Sequence, residues 1–195
     1  MVKSLKLINK NISFNGIDFS GFSSSNGWVG YFERKSGFSL ELVEDAVRLF
    51  ESYFNNDNDQ VMIVSALSFD DESESDNIIL EHYKRQVEEA KALKIFTAIT
   101  PSFERYLYGE APLPANSLSF YFCQSSFTLL SKLIMAHGGV IGDVCFYINI
   151  TKNIAVYPHG DTGFGCIGMN NEKYAAVDFL NYCKKNVNFN VVIDI

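Results

Sequence analysis

Val144-Cys145-Phe146-Tyr147-Ile148-Asn149-Ile150-Thr151-Lys152-Asn153-Ile154-Ala155-Val156-Tyr157 reads as strand 144–150, a polar turn at Thr151 to Asn153, and strand 154–157. Working outward, 117–122 has strand character and 125–137 helical character, closed by Gly138-Gly139. Downstream, 158–170 reads as a glycine-rich loop, 172–185 as a helix and 187–194 as a last strand. The order is β-α-β-β-α-β, a split βαβ unit that makes one antiparallel sheet with two helices on one face. The class expected is α+β, an α/β sandwich in which a mixed sheet carries packed helices.

The first half extends that sheet or packs on it. Residues 4–14 read as a hairpin, with Leu5, Leu7, Ile12 and Phe14 alternating around Asn9-Lys10-Asn11. The small polar stretch 20–27 is a loop before a strand from Trp28 to Glu33. Ser39 is a suitable N-cap for a helix from Leu40 to Phe54, where Leu42, Val43, Ala46, Val47, Leu49, Phe50 and Tyr53 recur at helical spacing. Val61 to Leu67 is a short β-branched run, the pattern of a central strand covered on both faces. A helix to about Lys94 follows, with Ile78, Ile79, His82, Tyr83, Val87, Ala90 and Leu93 inward and the pairs Glu81/Arg85 and Lys84/Glu88 outward. Residues 95–99 read as a strand ended by Pro101. The prolines in 109–116 mark the best place for a subdivision of what otherwise reads as a single domain, 1–195.

At 195 residues and 47% hydrophobic, with 17 Phe and 10 Tyr, the chain has ample apolar surface for a core, which excludes global disorder. No apolar run approaches the roughly 20 residues that cross a bilayer, and the N-terminal residues lack the apolar centre of a secretory signal. A cytoplasmic protein without membrane partners is expected. Cys123, Cys145, Cys166 and Cys183 stand in apolar surroundings without a C-x-x-C pair and read as reduced core residues. The net charge of −7 argues against nucleic acid and favours a cationic partner, whose encounter it accelerates.

Chemistry-bearing residues concentrate in Tyr157-Pro158-His159-Gly160-Asp161-Thr162-Gly163-Phe164-Gly165-Cys166-Ile167-Gly168. Its G-x-G-x-x-G does not suit a dinucleotide, because the expected strand ends six residues before Gly163 and too little chain follows for the rest of such a domain. His159, Asp161 and Cys166 have the residue types of a nucleophilic site, which keeps a small hydrolase-like enzyme using this loop as the alternative function. Metal ligation by His159 and Asp161 with His137 or His82 lacks a ligand spacing, so no metal, cofactor or catalytic residue is assigned. As a turn shaped by Pro158, Gly160 and Gly163, the loop instead suits partner contact through His159 and Asp161.

Asp70, Asp71, Glu72, Glu74 and Asp76 fall within seven residues. Such a run is a solvated loop or an electrostatic docking surface for Lys and Arg. Trp28, Tyr31, Phe32, Tyr106 and Tyr108 add aromatic rings that, where exposed beside acids, make good interface anchors.

Over Asp143 to Cys183 the strand, the turn, Val156-Tyr157-Pro158-His159-Gly160-Asp161-Thr162-Gly163 and the final helix resemble the C-terminal part of uncharacterised bacterial domains found in polymorphic toxin systems. With its acidic character, the chain resembles the small immunity proteins of contact-dependent growth inhibition. Those domains carry a doubled aspartate and an arginine before the glycine, whereas here Asp161 is followed by Thr162, and no catalytic residue is carried over. The resemblance implies a cytoplasmic protein that binds the basic toxin of its own system, often a nuclease, and masks its active site. The partner-binding residues expected on that reading are Asp70, Asp71, Glu72, Glu74, Asp76, His159 and Asp161.

Overall fold

The computed structural model describes residues 4–7, 10–55, 61–69, 77–92, 95–96, 98–121 and 124–194. The segment around Val144 to Tyr157 forms its hairpin: β6 (Val140–Asn149) returns as β7 (Ile154–His159), with Tyr147, Ile148 and Asn149 opposite Val156, Ala155 and Ile154. The Asn149 side-chain oxygen accepts from the amides of Thr151 and Lys152 at 3.0 and 2.9 Å. Asn153 takes the left-handed backbone that brings the chain back, a conformation asparagine tolerates better than most residues.

Five more strands complete the sheet: β3 (Trp28–Arg34), β4 (Val61–Phe69), β5 (Ser119–Tyr121), β8 (Gly163–Gly168) and β9 (Phe189–Ile193). They lie in the order β5-β4-β6-β7-β8-β3-β9, so strands from before and after residues 109–116 interleave. β1 (Ser4–Leu7) and β2 (Lys10–Ser13) pair separately, Leu5 opposite Ile12.

Alternation along each strand divides the core in two. From β6, Cys145 and Tyr147 point to one face and Val144, Phe146 and Ile148 to the other, all buried. The first face is covered by α1 (Leu40–Phe54), α2 (Asn77–Ala92), α4 (Gln124–Met135) and α5 (Tyr174–Cys183). Ser39 caps α1 by accepting from the Leu42 amide at 3.2 Å. Phe50 then meets Phe127, Phe54, Phe164, Tyr147 and Phe179 at ring separations of 4.3 to 6.0 Å. Burial of each such ring stabilises by about 1.5–3 kcal/mol, so this aromatic cluster is a principal hold of the helices on the sheet. The Tyr147 hydroxyl, deep in that cluster, is satisfied: it accepts from Ser131 at 2.8 Å and donates to the Phe127 carbonyl at 3.1 Å.

The second face is covered over β4 and β6 by Phe14, Ile17 and Phe19 and by α3 (Pro101–Leu107), which brings Phe103 into a cluster with Leu113 and Leu118. No helix among the described residues is long and apolar enough to cross a membrane.

The α+β class is as expected, and the two helices of the C-terminal unit, α4 and α5, lie on one face, where α1 and α2 of the first half join them. The expected mixture of strand directions is replaced by antiparallel pairing throughout, since β3 and β4 enter beside β8 and β6 against their direction. The glycine-rich segment is not a loop: β8 occupies it, and the C-terminal order becomes β-α-β-β-β-α-β. Its glycines serve close packing, because a side chain at Gly163 would run into the Phe32 carbonyl of β3. No strand forms at 95–96 or 98–99, and Pro101 opens α3 instead of ending an element, with Thr100 accepting from the Phe103 amide at 3.2 Å. Lys10 and Asn11 belong to β2, not to the first turn. His82 is exposed, and on α2 Lys84 pairs with Glu81 and Lys91 with Glu88, each three residues back.

Candidate functional site

The 157–168 segment is a β7–β8 hairpin with Tyr157 opposite Gly165 and His159 opposite Gly163. Register partners share a face and neighbours alternate. Tyr157 belongs to the cluster on the second face, so His159, two residues on, shares that face. Cys166 belongs to the helix-side cluster and is fully buried. The imidazole and the thiol therefore lie on opposite sides of one sheet, and the hairpin brings no base to Cys166. Burial, with Cys183 nearby, pushes the Cys166 thiol well above its ordinary value and keeps it protonated. The glycines of the G-x-G-x-x-G lie inside β8 and open no helix, which removes the amide cradle a pyrophosphate needs.

The turn at 160–162 is held from β3. The Arg34 guanidinium donates to the Gly160 carbonyl and to Thr162 Oγ1, both at 3.2 Å, and the Arg34 amide donates to the Asp161 carbonyl at 3.2 Å. Thr162 carries φ 56°, a strained value for a β-branched residue, and is buried. The contacts from Arg34 fix that conformation. His137, at the end of α4, lies against Gly160 and fills the space a side chain there would need. Asp161 is exposed at the tip. Arg34 carries no sequence pattern; only the pairing of β3 with β8 reveals its role.

His159 is half-buried and donates through Nε2–H to the Phe32 carbonyl at 3.1 Å, since a carbonyl can only accept. Burial lowers its pKa from the ordinary 6.5, opposed by Asp161 and the Phe32 carbonyl. Its ring meets Tyr31 edge-on at 5.9 Å, and Tyr31 in turn lies 6.3 Å from Trp28. Trp28 donates through Nε1 to the Tyr157 hydroxyl at 3.0 Å, and burial holds Tyr157 protonated, its pKa pushed up to about 12. Strand parity places Glu33 of β3 and Asn190 and Val192 of β9 on this same side. Thus the second face, closed over β4 and β6, continues across β8, β3 and β9 with Trp28, Tyr31 and His159 half-exposed and Val192 39% exposed.

Of the expected partner-binding residues, His159 and Asp161 share the hairpin, the first against the sheet and the second at the tip. Asp70, Asp71, Glu72, Glu74 and Asp76 lie outside the described residues. Cys145, Cys166 and Cys183 are buried and free. Among the described residues no three His, Cys, Asp or Glu side chains are grouped to hold a metal ion. Of the other aromatics, Phe32 is buried in the helix-side core, whereas Tyr108 is 74% exposed. Compared with protein-family models, with curated proteins and with solved structures, the chain matches none.

Proposed function

We propose that this chain is an acidic binding protein of the immunity type, which neutralises a cognate cationic toxin domain, such as a nuclease, by masking its active site in the cytoplasm. The observation that carries the reading is the placement of Cys166 and His159 on opposite faces of the sheet, with the thiol buried. The segment richest in reactive side chains is thereby framework, which leaves surface and charge as the means of action. The net charge of −7 favours a basic partner, and the half-exposed rings of the second face supply area that a charged loop alone lacks. The small-enzyme alternative would need its nucleophile elsewhere.

The test is copurification of the tagged chain from its source cells at low salt, with the copurifying basic protein then produced alone. A 1:1 complex that salt dissociates, and that suppresses the basic protein's toxicity when the two are co-expressed, is the expected result. A copurifying protein that is acidic, or one whose activity the chain leaves untouched, overturns the reading.

A further inference from the structure

We infer that the docking surface is the open part of the second sheet face, centred on Trp28 and Tyr31, and that it takes an arginine-bearing segment of a partner protein. This inference rests on the cationic-partner reading and goes further by assigning the surface and the chemistry of contact.

Three observations lead there. The rings are prearranged: Trp28 is anchored by its hydrogen bond to Tyr157 and Tyr31 stands between Trp28 and His159. Little conformational entropy remains to be lost on binding, which is what distinguishes an anchor from a merely exposed ring. The surroundings carry carboxylates: Glu33 follows Tyr31 on the same face of β3, Asp161 is exposed at the tip of the adjoining hairpin, and Asp194 is exposed just past the end of β9. The guanidinium of Arg34, at the end of β3, is committed to Gly160 and Thr162. A planar guanidinium laid over Trp28 or Tyr31 gains from the ring face and from neighbouring carboxylates together, a combination that a neutral or anionic segment does not exploit. Val192, opposite Tyr31 in the β3–β9 register, gives the aliphatic stem of the arginine an apolar bed.

Trp28 is the only tryptophan in the chain and so reports on its own site. The experiment titrates the full chain with fluorescein-labelled deca-arginine at low salt, following peptide anisotropy and, with unlabelled peptide, Trp28 emission. It is repeated with Tyr31→Ala and Glu33→Gln, whose urea midpoints are measured alongside. The expected result is binding with a change in Trp28 emission, weakened about five- to tenfold by Tyr31→Ala and about threefold by Glu33→Gln. Binding that leaves Trp28 emission unchanged, or that folded Tyr31→Ala retains in full, overturns this surface and leaves the cationic-partner reading standing. Absence of binding overturns both. Should Tyr31→Ala not fold, Val192→Arg at the exposed β9 position replaces it, with the same loss expected and the same retention overturning the proposal.

Discussion

His159 is tied to the framework more than to solvent. Its Nε2–H holds the Phe32 carbonyl across β8 and its ring meets Tyr31, so the neutral tautomer suits its place and a second proton does not. Because burial depresses its folded pKa below 6.5, the unfolded chain takes up a proton that the folded chain resists as the pH falls. The contribution of His159 is therefore complete above about pH 6.5 and lost progressively as the pH drops through that value toward the folded pKa. Urea midpoints of the parent and of His159→Gln, measured from pH 8 to 5, should diverge in slope, with the parent losing stability more steeply below about 6.5. Parallel curves would mean that the ring is as free to charge in the fold as outside it. Cys166 illustrates the opposite hazard for sequence reading, since its nearness to His159 in the chain translates into separation by the thickness of a sheet.

At the level of elements, legibility follows periodicity. α1 is readable because Leu42, Val43, Ala46, Val47 and Phe50 keep helical spacing behind a serine cap, and β4 because its β-branched run is buried on both faces. β8 is not, because a strand built as Gly163-Phe164-Gly165-Cys166-Ile167-Gly168 carries the composition of a loop. The glycines are there for neighbours that no local pattern discloses: β3 crosses close to Gly163, and the Tyr157 ring occupies the space over Gly165. The halves of the candidate site divide in the same way. Trp28 and Tyr31 can be suspected from their aromatic character beside a loop, while Glu33, Arg34 and Val192 acquire meaning only once β3 is seen between β8 and β9. Gly163→Ala should therefore destabilise by about 1–3 kcal/mol, since its methyl group meets backbone that cannot move without breaking the ladder. Gly37→Ala, where nothing lies within 4 Å of the added carbon, should stay within about 0.5 kcal/mol. Chemical denaturation of the two variants separates packing from a general intolerance of glycine replacement. Equal losses would count against β8 as a close-packed strand.

For the whole molecule, charge and contact do different work and can be told apart kinetically. Replacing Asp70, Asp71, Glu72, Glu74 and Asp76 by their amides removes five of the seven net negative charges. A field of that size acts over distances comparable with the Debye length, about 10 Å at 0.1 M salt, so it speeds encounter more than it strengthens the final contacts. Stopped-flow association with deca-arginine should slow by about tenfold in the five-amide variant at ~20 mM salt, and the difference should fade toward ~0.5 M, with dissociation nearly unchanged. Tyr31→Ala should show the reverse, faster dissociation at all salt concentrations and an almost unaltered encounter, because a ring face acts only on contact. If the acidic variant instead dissociates faster and associates normally, those carboxylates touch the peptide directly. The 70–76 stretch would then be a binding surface, and the rings of the second face a secondary one.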